Sequence, residues 1–259
     1  MGIINLTPDS FSDGGKYSSV SAAIAEAERM VYDGATILDV GGESTRPGAA
    51  EVTIEEELRR VISVVEALAV AGHCVSIDTR KPEVMRAAIR AGAAIVNDVY
   101  ALRAPGALHA CADSGVGVVL MHMQGEPGTM QASPHYVNVI AEVAAFLQGR
   151  ASCCELAGIE RDRIALDPGF GFGKTTAHNL QLTRGVGELA RLGYPVLAGW
   201  SRKRSVGEIT GQEKASERVS GSVAAALACV ARGAQIVRVH DVRATVDALR
   251  VWHAVNAAP

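Results

Sequence analysis

The chain has 259 residues, of which 48% are hydrophobic and 20% charged, with a formal net charge of −3. That composition supports a sizeable core and excludes a disordered chain. No basic run is longer than "RKR" at 202–204, and aromatic residues make up only 4%. This argues against both a nucleic-acid grip and a single-strand stacking platform.

Short apolar runs recur in chain order: "GIINL" (2–6), "TILDVG" (36–41), "CVSIDT" (74–79), "AIVNDV" (94–99), "VGVVLMH" (116–122), "RIALDPG" (163–169), "YPVLAGW" (194–200) and "QIVRVH" (235–240). They are rich in Val, Ile and Leu, as strands covered on both faces should be. Helical spacing of small and apolar residues fills the gaps, for example at 20–34, 54–72 and 217–233. Many of these segments stop at Gly, a common helix end. Eight strand–helix units in about 250 residues fit a single (β/α)8 barrel spanning 1–259, with its active site at the C-terminal strand ends. An open doubly wound sheet is the alternative. It usually carries Gly-x-Gly-x-x-Gly after the first strand, where this chain has "TPDSFSDGG".

The five cysteines include no Cys-x-x-Cys pair, and no basic start leads into an apolar run. Free thiols in a reduced, cytoplasmic protein are expected. No apolar stretch is long enough to span a bilayer, so no membrane partner is expected. The seven histidines form no His-x-x-x-His or Cys/His cluster, which disfavours a protein-only zinc site. "GFGFGK" at 169–174 lacks the spacing of a phosphate loop. Its plain reading is a strand-to-helix turn with Phe170 or Phe172 packing.

Each strand run ends on polar residues: Asn5, Asp39, Asp78, Asn97 with Asp98, His122, Asp167, Ser201 with Arg202 and Lys203, then Arg238 and His240. A lone Asp there is more often a turn former than a catalyst, but capping alone explains eight such ends poorly. Convergence of all of them on one barrel mouth is expected. Carboxylates beside Arg46, Arg202, Lys203, Arg238 and His240 suit a ligand with an N–H-rich edge and an anionic end. Asn5 offers a neutral oxygen to a hard cation such as Mg²⁺.

Eight motifs, in one order, closely resemble the dihydropteroate synthase family: "MGIINLTPDSFSDGGKY", "DVGGESTRPGA", "VSIDTRKPEV", "IVNDV", "LMHMQGEPGTMQ", "LDPGFGFGKT", "GWSRKR" and "RVHDV". The resemblance implies a barrel enzyme, usually dimeric, of the folate pathway, and a target of sulfonamides. It would join 4-aminobenzoate to 6-hydroxymethyl-7,8-dihydropterin diphosphate, giving 7,8-dihydropteroate and diphosphate. Carried over by position, Asp78, Asn97 and Asp167 hold the pterin edge, and Lys203 bonds the ring beside the aminobenzoate. Val99, Met121, Phe172 and Arg238 line the pterin slot. Asn5, Thr45, Arg46, Arg238 and His240 match the diphosphate and Mg²⁺ site, with Asn5 toward the metal. Phe11, Thr45, Arg46 and Pro47 match the aminobenzoate pocket on two closing loops, to which Gly14, Gly15, Gly41 and Gly42 would give backbone freedom.

The implied catalytic set is Lys203, Arg238, His240 and Asp13. Asp13 would stabilise a carbocation-like methylene in an SN1-like substitution, and Asp9 is a second acidic residue of its loop. Two departures stand out. Arg204 occupies a position where several family members have Ser, at the aminobenzoate carboxylate. Many relatives also carry residues before "MGI", so either the start is truncated or a bottom plug is absent. Two rivals are a methyltetrahydrofolate-dependent methyltransferase-like barrel and an inactive pterin-binding paralogue. The first should lack "SRK" and the two loops. The second should have lost Asn5, Arg46, Lys203 or His240, and all four are present.

Overall fold

The computed structural model describes residues 1–6, 16–44, 51–126 and 128–257. Among the described residues the eight strands are β1 (Gly2–Asn5), β2 (Leu38–Gly41), β3 (Val75–Asp78), β4 (Ile95–Asp98), β5 (Gly117–Met121), β6 (Ile164–Asp167), β7 (Leu197–Ala198) and β8 (Ile236–Val237). Strands β1 to β6 form one parallel sheet in sequence order, and β7 pairs with β8. Single parallel bridges join the two seams, Leu166 to Val196 and Gly2 to Val239. Backbone bonds support both, with Leu166 N donating to Pro195 O (2.8 Å) and Ile3 N to Val239 O (3.1 Å). The strands therefore run in a ring, the (β/α)8 architecture that the alternating pattern implies.

The helices are α1 (Lys16–Tyr32), α2 (Ile54–Val70), α3 (Pro82–Arg90), α4 (Ala107–Ala112), α5 (Val139–Leu156), α6 (Thr176–Arg184), α7 (Val186–Ala190), α8 (Arg204–Thr210), α9 (Val219–Val230) and α10 (Val242–Ala257). Helix α2 shows why such segments fold. Thr53 caps it by accepting from Glu56 N, and Glu55, Glu56 and Glu57 sit in the first turn, where the helix dipole favours negative charge. Val61, Val64, Val65 and Leu68 then recur on one face and are all buried.

Period-two alternation divides every strand into two faces. Ile4, Leu38, Val40, Ile77, Val96, Leu120 and Leu166 pack outward into the main core, together with helix residues such as Val61 and Leu147. The inward set begins, at the N-terminal end, as an apolar plug of Met1, Val119, Ala165 and Leu197 with Ile37, Ile95 and Ile236. Two residues further along the same strands stand Ile3, Asp39, Asn97, Met121, Asp167, Gly199 and Arg238. Alternation thus turns a hydrophobic floor into a polar mouth within one step of two residues.

Strands β7 and β8 are shorter than the runs at 194–200 and 235–240. Side chains replace ladder bonds there: Val196 N donates to Gln235 Oε1 (2.8 Å), and the chain bends at Arg202, whose φ is 57°. Strand β6 ends at Asp167 because Pro168 has no N–H to continue the ladder.

Candidate active site

Arg238 organises the mouth. Directly after β8, its Nε donates to Asp39 Oδ2 on β2 (2.6 Å) and its Nη2 to Asp78 Oδ2 on β3 (2.7 Å). Asn97 on β4 donates its Nδ2 to the same Asp39 oxygen (3.1 Å). Burial pushes the Asp78 carboxyl up to about 7; Arg238 pulls it down, while Asp39, Asp98 and Glu57 push it further up. Arg238 itself is held above its ordinary value by the two carboxylates, against the effect of burial.

Lys203 forms the opposite wall. Its ammonium lies 4.5 Å from the centroid of the Phe172 ring and donates to Phe170 O. Burial lowers it to about 8, with Asp167 and Asp78 opposing and Arg238 assisting. Asp167 accepts from Gly169 N at 2.7 Å and is raised by burial. Val99, Met121, Met123 and Met130 form a small buried cluster beside the slot, against which Tyr100 and Phe172 pack.

The loop "GFGFG" at 169–173 makes this wall rigid. Gly169, Gly171 and Gly173 all have positive φ (68°, 80° and 62°). A Cβ on Gly169 would stand 1.9 Å from His122 O, so no other residue fits. Each carbonyl from 170 to 173 accepts from a side chain: Phe170 from Lys203, Gly171 from Gln131, Phe172 from Lys174 and Gly173 from Tyr136. Phe170 points away and is buried against Trp200, which bears out the packing reading for one of the two phenylalanines.

At the β1–β8 side, Asn5, Arg202 and His240 line one cavity of about 790 Å³, which continues past Glu26, Arg29 and Asp33 of α1. Ser201 Oγ accepts from His240 N (3.0 Å) and lies 2.9 Å from His240 Nδ1, fixing the ring.

A model of the family described as "Pterin binding enzyme" matches residues 1–240. The chain belongs to that pterin-binding enzyme family. It is 55% identical to a dihydropteroate synthase of Neisseria meningitidis, over 99% of this chain and 92% of that one. A solved Xanthomonas albilineans dihydropteroate synthase with 4-aminobenzoic acid superposes with a TM-score of 0.95 at 58% identity, covering 100% of this chain and 93% of that one. A second structure from that organism, in complex with 7,8-dihydropteroate, gives 0.92 at 56% identity, with coverage of 100% and 94%.

In this member of the family the ring brings together Asp78, Asn97, Val99, Met121, Asp167, Phe172, Lys203 and Arg238, with Asn5 and His240 on the β1–β8 side. Asp9, Phe11, Asp13, Gly14, Gly15, Thr45, Arg46 and Pro47 lie outside the described residues. The expected convergence of every polar strand end needs correction at Asp98 and His122. Each follows an inward residue by one step and so faces out. Asp98 accepts from Tyr100 N (2.7 Å) and Leu102 N (2.8 Å), holding a turn in which Ala101 and Leu102 have left-handed φ. It is a turn former, and burial raises it to about 6. His122 is buried 2.9 Å from Lys174 Nζ, and burial lowers it to about 3, so the ring is neutral.

Of "SRK", only Lys203 reaches the slot, because Arg202 turns to Asp241 (2.9 Å). Arg204 is 88% exposed on the first turn of α8 and pairs with Glu208 (2.8 Å). Neither Gly41 nor Gly42 is among the glycines with a positive φ. Gly42 is required by close approach, because a Cβ there would meet Val61 Cγ1 at 2.8 Å. Asp39, a named carboxylate without an assigned role, proves to be a hub of the site. Its sequence signals were its strand-end position and its place at the head of "DVGGESTRPGA".

Proposed function

We propose that the chain joins 4-aminobenzoate to 6-hydroxymethyl-7,8-dihydropterin diphosphate, forming 7,8-dihydropteroate and releasing diphosphate. One observation carries this reading. Acceptors of Asp78, Asn97 and Asp167 face a slot walled by Met121 and Val99 and by Lys203 over Phe172, and the cationic residues stand beside it. The acceptors suit the N–H-rich edge of an aminopyrimidinone. Arg238, His240 and Asn5, with Thr45 and Arg46, would take the diphosphate.

Mg²⁺ is the metal we assign. Among the described residues no three His, Cys, Asp or Glu groups converge on a metal site. One Asn oxygen, phosphate oxygens and water suit a hard cation that binds mainly through its substrate. When bound, it draws charge onto the departing diphosphate.

The protein's own part is orientation and charge. The C–O bond at the pterin methylene breaks and its electron pair leaves with the diphosphate. The amine nitrogen then forms the C–N bond and releases a proton to water. Lys203 holds the pterin face, and the closing loops orient the amine. Phe11, Thr45, Pro47 and Arg204 complete the aminobenzoate end. Asp13 stabilises the cationic methylene. We also assign a cytoplasmic homodimer that uses α9 and α10, where Val251 and Val255 are 65% and 70% exposed. Among the described residues no helix is long and apolar enough to cross a membrane.

The test is kinetic. Asp13→Ala should slow turnover far more than it weakens pterin binding, and equal losses in both would contradict its role. Arg204→Ala should raise KM for aminobenzoate and leave pterin binding intact.

A further inference from the structure

Asp39 is fully buried, yet among the described residues its Oδ1 has no hydrogen-bond partner. A carboxylate held this way is costly to a fold, so its benefit lies in what it orients. Its Oδ2 accepts two bonds, from Arg238 Nε at 2.6 Å and Asn97 Nδ2 at 3.1 Å. A carboxylate only accepts, so the Asn97 amide must turn its nitrogen inward and leave its oxygen for the slot. Arg238, held at Nε, is left to reach Asp78 through Nη2.

We propose that Asp39 is a positioning residue of the pterin slot, setting the Asn97 amide with its oxygen toward the ligand and holding Arg238 in line with Asp78. It touches no substrate itself. Its effect is selectivity: an amide oxygen accepts from a ligand N–H, whereas a turned amide would offer that N–H a donor. The inference rests on the pterin reading above.

The test compares the full chain with Asp39→Asn, an isosteric change that lets the Asn97 amide rotate. Calorimetry with free 6-hydroxymethylpterin and with its 2,4-dioxo counterpart gives a preference ratio for each protein. The ratio should fall about tenfold in Asp39→Asn, the scale of one reversed hydrogen bond, while KM for 4-aminobenzoate stays unchanged. An unchanged ratio, with both affinities equal to wild type or lowered alike, overturns the proposal. Wild type that binds neither pterin refutes the functional reading and this one with it.

A second measurement needs no folded Asp39 variant. Neutron diffraction from crystals of deuterated wild type with bound pterin should place an Asn97 Nδ2 deuteron on Asp39 and the bare Oδ1 toward the ligand. An Asn97 deuteron pointing at the ligand would overturn the proposal.

Discussion

Replacing Asp78 with Asn should strengthen the fold at alkaline pH while disabling the site. Burial lifts this carboxyl from its ordinary 3.8 to about 7 despite Arg238 beside it. Its folded value is raised, so the native state binds the proton more tightly than the unfolded chain. Stability is therefore lost as pH rises between those two values. At about 1.4 kcal/mol per pH unit, the ionised form withholds on the order of 4 kcal/mol above pH 7 and roughly 2 at pH 5. Asn mimics the protonated acid and lacks this slope. The stability of Asp78→Asn relative to wild type should thus rise by about 2 kcal/mol between pH 5 and pH 8. Urea unfolding of both proteins at the two pH values measures it. In the same variant kcat/KM for the pterin diphosphate should fall about 10- to 100-fold, as a charge-assisted hydrogen bond is lost. A relative stability that is flat or falls with pH would refute the reasoning about this buried cluster.

Lys203 is lowered to about 8 by burial, so its ammonium is lost as pH rises through that value. The kcat/KM profile should therefore decline on its alkaline side near pH 8, and Lys203→Met should abolish that limb along with most of the activity. Gly169→Ala should cost at least about 3 kcal/mol in chemical unfolding, because the new Cβ would lie 1.9 Å from His122 O. Lys81→Met should cost roughly 3–5 kcal/mol, since Lys81 Nζ lies 2.5 Å from Oε2 of the fully buried Glu57. Thermal or urea unfolding checks that value against an exposed-pair control such as Arg59→Ala, which should move stability by less than about 1 kcal/mol.

The strand–helix order was legible because buried parallel strands announce themselves as Val- and Ile-rich runs. Asp78, Asn97, Asp167, Lys203 and Arg238 were legible through motif and strand-end position. What failed was direction. Asn97 and Asp98 look alike in sequence, but one step along a strand reverses the face, so one enters the site and the other holds a turn. His122 failed for the same reason, following the inward Met121. The Arg238 contacts span 199 and 160 residues of chain, and no local pattern reports a pairing that only ring closure creates. Gly42 has loop-like sequence neighbours, and only the packing of α2 against it reveals its steric requirement.

Synthase activity is tested by diphosphate release from 6-hydroxymethyl-7,8-dihydropterin diphosphate with Mg²⁺, followed with and without 4-aminobenzoate. Release that requires aminobenzoate, with dihydropteroate formed in equal amount, is the predicted result. Pterin bound without release in the presence of both substrates would contradict the account.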